Sequence, residues 1–162
     1  MAGNNATYIN ILYNTLVRKE ECLERLNSLE AEQEKKLSNP ELTVEEFDEL
    51  VSRRQTMIEE LENLDKGFET VYDRVKEELK SNRDIYKETI EKMQGCIVRI
   101  TELTVKIQAV AERNKAKADS VFALKRGQVK MTRVSNQTAA KYYKNMSGHH
   151  QSGQSYFLDT KN

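Results

Sequence analysis

The sequence predicts an all-α protein: an antiparallel three-helix bundle or coiled coil of long helices, followed by a partly flexible, basic C-terminal tail. Apolar residues recur at steps of three, four and seven along most of the chain, which places them on one face of a helix. The 162 residues include one Pro and six Gly. Hydrophobic residues make up 38% and charged residues 32%, a balance typical of helices that each bury a single stripe.

The first helix is predicted over residues 5–37, with an apolar stripe that runs from Ile9 to Leu37. Three polar residues fall on this stripe, Lys19, Glu30 and Gln33, so we expect looser or mixed packing there. Pro40 ends the helix, because proline disfavours helical geometry at the residue before it.

The second helix is predicted over residues 43–80. Thr43 and Glu46 have the spacing of a capping box, in which the threonine hydroxyl accepts a hydrogen bond from the third helical amide. The stripe from Phe47 to Leu79 keeps its heptad steps with Arg54 as a polar intrusion. We interpret Gly67, inside this pattern, as a tolerated surface glycine.

The third helix is predicted over residues 83–127, with Ser81 or Asn82 as its N-cap. Its seam is rich in Ile up to Ile107, and the pattern thins before Gly127. Short connections between long helices require neighbouring helices to run in opposite directions, which predicts an up-down-up bundle.

Residues 128–162 form the predicted tail, in which Ser, Gly and Gln separate short apolar islands. Residues 113–162 carry 10 Lys+Arg against 2 Asp+Glu, whereas residues 1–112 carry 16 against 24. Such islands in a polar, basic setting often become ordered only on a partner. The alternative is that residues 121–146 fold back as core of the bundle.

Residues suited to catalysis are few. The two histidines, His149 and His150, are adjacent in the tail and are interpreted as solvated. We interpret Cys22 and Cys96 as reduced thiols, and neither GxGxxG nor GxxxxGK[ST] occurs. The sequence predicts a protein that is not an enzyme and uses no cofactor or metal. It shows no transmembrane run or signal peptide, so we expect a cytoplasmic protein.

Protein binding is the favoured function, and nucleic-acid binding is an alternative. Lysines and arginines interleaved with Tyr142 and Tyr143 are suited to phosphates and bases, but the acidic first 112 residues would repel a polyanion. A membrane surface is disfavoured because the basic segment has no strongly apolar helical face. Tyr and Arg are enriched at protein interfaces.

Several segments in a fixed order carry a family resemblance. They are Tyr8-Ile9-Asn10-Ile11-Leu12, Asn39-Pro40-Glu41-Leu42, Glu46-Phe47-Asp48-Glu49-Leu50, Leu64-Asp65-Lys66-Gly67-Phe68-Glu69, Val71-Tyr72-Asp73-Arg74-Val75, Ile107-Gln108, Glu112-Arg113-Asn114-Lys115, Ala139-Ala140-Lys141-Tyr142-Tyr143-Lys144-Asn145-Met146 and Tyr156-Phe157-Leu158-Asp159-Thr160-Lys161. Together they cover nearly the whole chain, which resembles clostridial-type flagellar export chaperones of the FlgN/FliT kind.

The resemblance implies a cytoplasmic chaperone that binds the terminal helices of late flagellar substrates and prevents their premature assembly. The substrates would be hook-associated or filament-cap proteins, with the export apparatus as a further partner. The resemblance places substrate contact in the C-terminal helical region. By position the partner-binding residues are Ile100, Leu103, Ile107, Val110, Val121, Phe122, Leu124, Tyr142, Tyr143 and Met146. A monomer and a homodimer both remain open, as does a structural coiled-coil adaptor or oligomerisation protein without an export role.

Overall fold

The structure is a computed structural model and describes residues 2–123, 139–145 and 157. It contains three long helices: α1 (Ala2–Leu37), α2 (Val44–Ser81) and α3 (Lys87–Val121). A fourth, short helix, α4, covers residues 139–145. The described residues contain no strand, and the three long helices pack together. The prediction of an all-α fold is confirmed.

Helix α1 packs along both α2 and α3. Towards α2, Lys19 pairs with Asp65 and Arg25 with Glu60. Towards α3, Arg99 pairs with Glu20 and Arg113 with Glu34, a constant offset of 79 residues. No residue of α2 has its Cα within 8 Å of a Cα of α3. The two outer helices are therefore held side by side through α1, with a space between them.

The connection between α1 and α2 follows the local sequence signals. Helix α1 ends at Leu37, three residues before Pro40. The Thr43 hydroxyl accepts a hydrogen bond from the Glu46 backbone N–H at 3.1 Å, as the capping motif predicts.

The third helix is shorter at both ends than predicted. Asn82 closes α2 instead of opening α3, because its backbone N–H donates to the Glu78 carbonyl. Helix α3 begins only at Lys87 and ends at Val121, where Phe122 packs its ring 5.0 Å from that of Phe47. The remaining predicted helical residues, 124–127, lie outside the described residues.

Gly67 lies on the solvent face of α2, and a methyl group at its Cβ position would meet no atom within 4 Å. We predict that Gly67→Ala raises the free energy of unfolding by about 0.5–1 kcal/mol, because alanine restricts the unfolded chain and favours helix. Urea unfolding followed by circular dichroism measures the change. A destabilised Gly67→Ala variant would contradict the open surface position.

Among the described residues, no helix combines the length and the apolar character needed to cross a membrane.

Candidate partner-binding groove between α2 and α3

The space between α2 and α3 is occupied by the C-terminal region of the chain. From α4, the Tyr142 hydroxyl donates to Asp65 Oδ2 of α2 at 2.8 Å. From α3, Gln94 Nε2 donates to the Phe157 carbonyl oxygen at 2.8 Å. We call this space the α2–α3 groove. It is defined by Arg54, Asp65, Phe68 and Tyr72 of α2 and by Gln94 and Ala111 of α3.

An aromatic contact closes one part of the groove. The Phe157 side chain is fully buried, and its ring meets those of Phe68 and Tyr72 edge-on, with centroids 6.2 and 6.0 Å apart. Edge-to-face pairs of this kind stabilise by about 0.5–1.5 kcal/mol beyond the burial of their area. Phe157 therefore contributes a core side chain to the bundle.

A buried ionic layer lies next along the groove. Lys19 Nζ is 2.5 Å from Asp65 Oδ1, and both side chains are almost fully buried. Burial lowers the pKa of Lys19, although the Asp65 carboxylate acts in the opposite direction. The other Asp65 oxygen accepts the Tyr142 hydroxyl. One carboxylate thus joins α1, α2 and α4.

A second buried polar layer joins α1, α2 and α3. Arg54 Nη1 lies 3.5 Å from Glu30 Oε1 and donates to Gln33 Oε1 at 3.2 Å. Asn114 Nδ2 donates to Glu30 Oε2 at 2.8 Å and to the Glu30 carbonyl at 2.9 Å. Three of the four polar residues that interrupt the predicted stripes, Glu30, Gln33 and Arg54, therefore meet at one level, which gives mixed packing with hydrogen bonds across the helices.

The sequence pattern marks Lys19, Glu30, Gln33 and Arg54 as polar residues on the apolar stripes, but it does not predict which of them pair. It assigned no role to Asp65 or Asn114. Asp65 and Asn114 each fall near an apolar stripe, which is a sequence signal for a buried polar residue. The residues that they contact depend on the register between the helices, which the sequence pattern does not contain.

A cavity of about 310 Å³ opens beside the second polar layer. Its small-residue walls are Ala111 on α3 and Ala139 and Ala140 on α4, with Arg54 and Tyr143 also lining it. The three alanines leave the groove incompletely filled at this level.

The predicted partner-binding residues occupy three kinds of position. Those in the core are Ile100, Ile107, Phe122, Tyr142 and Tyr143. Those at the edge or surface are Leu103 and Val110, which are half-buried, and Val121, which is exposed. Leu124 and Met146 lie outside the described residues. The core positions are covered by this chain itself, and their binding to a partner stays a prediction.

Where the tail is described, it agrees with the interpretation that this part of the chain folds back as core of the bundle. Residues 139–145 are helical, and Ala139, Tyr142, Tyr143 and Phe157 join the main apolar cluster. For these four residues, the interpretation that the apolar islands become ordered only on a partner is corrected, because they pack on the chain's own groove. The other residues of 128–162 lie outside the described residues.

The two cysteines are free and buried. Burial raises the pKa of the Cys22 thiol to about 11 and also raises that of Cys96. Both thiols are thus protonated near neutral pH, the state in which cysteine is a poor nucleophile. Among the described residues, no group of three or more His, Cys, Asp and Glu is placed to hold a metal ion. His149 and His150 lie outside the described residues.

The two buried tyrosines of α4 make the free energy of unfolding depend on pH in the alkaline range. Burial raises the pKa of Tyr142 and of Tyr143 far above 10. Above pH 10 the unfolded state therefore holds fewer protons than the folded state. We predict that the free energy of unfolding falls by up to about 1.4 kcal/mol per pH unit for each tyrosine. Denaturant titrations between pH 9 and 11 measure this.

The lowered pKa of Lys19 acts in the opposite sense, because the unfolded lysine holds its proton up to about pH 10.5. A double variant, Tyr142→Phe with Tyr143→Phe, retains Lys19 and isolates the tyrosine contribution. Its alkaline loss should be smaller than that of the parent chain. Equal losses would contradict the burial of the two hydroxyls.

A comparison of the chain with protein-family models, curated proteins and solved structures finds no match in any of the three. Function is therefore inferred from the residues of this chain.

Proposed function

We propose that this chain is a cytoplasmic chaperone of the flagellar export type, which acts by binding and not by chemistry. It would hold a terminal helix of a hook-associated or filament-cap protein in the α2–α3 groove. The observation that carries the proposal is that a helix of this chain packs between α2 and α3, where the Tyr142 hydroxyl of α4 donates to Asp65 at 2.8 Å. Among the described residues, no Cα of α2 lies within 8 Å of a Cα of α3, and the Phe157 ring packs on Phe68 and Tyr72 in the same space. An amphipathic helix of a partner would take the place of α4 there.

We propose an antiparallel, up-down-up order for the three long helices. The pairs Lys19–Asp65 and Arg25–Glu60 support opposite directions for α1 and α2. The constant offset in the α1–α3 pairs supports a common direction for α1 and α3. In this arrangement the groove offers an incoming helix one continuous seam along α2 and α3.

The apolar chemistry of the groove suits a late export substrate. Such a substrate carries a terminal helix whose apolar stripe lacks a partner until assembly, and this stripe invites premature association. Phe68 and Tyr72 of the groove already accept an aromatic side chain. Helix-in-groove recognition uses such anchors at helical spacing.

The chain's own C-terminal region would compete with the substrate for the groove. If the groove were open in one molecule of a hundred, apparent affinity would fall about 100-fold below the intrinsic value. A chaperone must release its substrate, so moderate apparent affinity suits its task. The Lys/Arg excess of residues 113–162 would mainly raise the association rate with acidic partners.

Co-purification from a flagellated bacterium that expresses the tagged chain tests the function. A tagged chain is expected to capture hook-associated or filament-cap proteins. The variant Phe157→Asp should capture more of them, because a charge in the aromatic contact opens the groove. Val105→Asp, an exposed position on α3, is the matched control and should leave capture unchanged. If neither the parent chain nor Phe157→Asp captures these proteins, the export role fails and a structural adaptor becomes the better account.

A further inference from the structure

Asp65 presents a hydrogen-bond acceptor to whatever fills the α2–α3 groove. Its side chain is 2% exposed, and Oδ1 is engaged by Lys19. Oδ2 accepts the Tyr142 hydroxyl of the present occupant at 2.8 Å. An occupant without a donor at this level would lose that hydrogen bond while still burying the Asp65 carboxylate, and losing a hydrogen bond to a buried charged group is costly.

An uncharged hydrogen-bond donor suits Asp65 Oδ2 better than a cationic one. Lys19 already pairs with the Asp65 carboxylate within the same buried layer, so a cationic side chain would place a second positive charge beside Lys19 in a poorly hydrated site. A hydroxyl or amide supplies the hydrogen bond without charge. Tyr142 meets this requirement in the present structure.

A second polar contact of the groove does not discriminate between side chains. Gln94 donates to the main-chain carbonyl of Phe157, a group that every residue carries. The aromatic contact with Phe68 and Tyr72 selects a bulky apolar ring but not a hydrogen-bonding pattern. Of these three contacts, only the one at Asp65 depends on a hydrogen-bonding side chain of the occupant.

We propose that Asp65, held by Lys19, is a specificity-determining residue of the groove. It selects partner helices that present an uncharged hydrogen-bond donor at its level and an aromatic residue at the level of Phe68 and Tyr72. The C-terminal region imitates such a partner through Tyr142 and Phe157. This inference rests on the proposed function, since it describes which helix the groove accepts.

The test uses the full chain with Tyr143→Asp and Phe157→Asp, which undock its own C-terminal region. The probe is a fluorescent synthetic peptide of residues 137–160 of this sequence, prepared unchanged, with Tyr142→Phe or with Tyr143→Phe. Anisotropy titrations measure the dissociation constants. We expect the Tyr142→Phe peptide to bind at least tenfold more weakly than the unchanged peptide. The Tyr143→Phe peptide is the control, because Tyr143 lies beside Arg54 at another level, and it should change affinity less than threefold.

The same titrations in a Lys19→Met, Asp65→Leu background identify the cause. The difference between the unchanged peptide and the Tyr142→Phe peptide should disappear there, because the buried ionic pair is replaced by apolar side chains. Equal binding of both peptides to the undocked chain that retains Lys19 and Asp65 would overturn the selectivity and leave the groove as a binding site. A folded, undocked chain that binds no peptide would overturn the proposed function as well.

Hydrogen exchange on the otherwise unaltered chain keeps the inference testable if the undocked variant does not fold. Tyr142→Phe is expected to speed amide exchange in residues 139–145 about tenfold, and Tyr143→Phe less than threefold. Equal acceleration by the two substitutions would overturn the role of Asp65.

Discussion

Replacing Ile107 with aspartate is expected to lower the free energy of unfolding by about 4 kcal/mol or more, enough to abolish a cooperative transition in a marginally stable bundle. Ile107 is fully buried and belongs to the main apolar cluster. A carboxylate there loses its hydration in apolar surroundings and removes a core side chain at the same time. Urea unfolding followed by helical circular dichroism measures the loss.

Val105→Asp provides the matched control for this substitution. Val105 lies two residues away on the same helix and is 54% exposed, so its replacement should change stability by no more than about 0.5 kcal/mol. Comparable losses for the two variants would show that α3 presents a different face to the core. An unaffected Ile107→Asp variant would contradict the packing of α3 altogether.

The second large effect is expected for Arg54→Leu. This substitution removes the guanidinium that lies against Glu30 and Gln33 in the buried layer. Glu30 is fully buried, and breaking a buried ion pair by removing one partner typically costs about 3–5 kcal/mol. Thermal and denaturant unfolding of the variant should both show the loss.

Arg53→Ala is the control for Arg54→Leu, because the two residues are adjacent and each faces a glutamate of α1. The Arg53–Glu32 pair is exposed, with 47% and 39% of its side chains accessible, and is expected to contribute at most about 1 kcal/mol. Adding Glu30→Met to Arg54→Leu should recover part of the loss, since the uncompensated charge is then gone. An Arg54→Leu variant as stable as Arg53→Ala would contradict the buried Arg54–Glu30 pair.

Local signals explain why the boundaries of the first two helices were predictable. Pro40 and the Thr43 cap act through residues a few positions away, and α1 and α2 end within one residue of their predicted C-terminal limits, Leu37 and Lys80. The start of α3 was predicted wrongly, because Asn82 serves equally well as the end of one helix and the start of the next. Asn82 closes α2, and a turn then leads to Lys87. No side-chain hydrogen bond caps the start of α3, so the sequence carries no local signal for it.

The buried layers and the docked tail depend on contacts that a sequence pattern does not contain. Arg54 and Glu30 are separated by 24 residues and Tyr142 and Asp65 by 77, so their pairing follows from helix register. Tyr142 and Phe157 stand in Ser- and Gly-rich surroundings typical of disorder. Their burial requires a groove that exists only once α1 has brought α2 and α3 together.

The most direct test of the account is amide hydrogen exchange in residues 139–145, measured with the chain alone and with saturating hook-associated or filament-cap protein. These amides are expected to be protected in the free chain and to lose protection when the partner is bound, while Leu23 and Ile100 in the core remain protected. A bound partner that leaves the protection of residues 139–145 unchanged would contradict the claim that partner and tail share one groove.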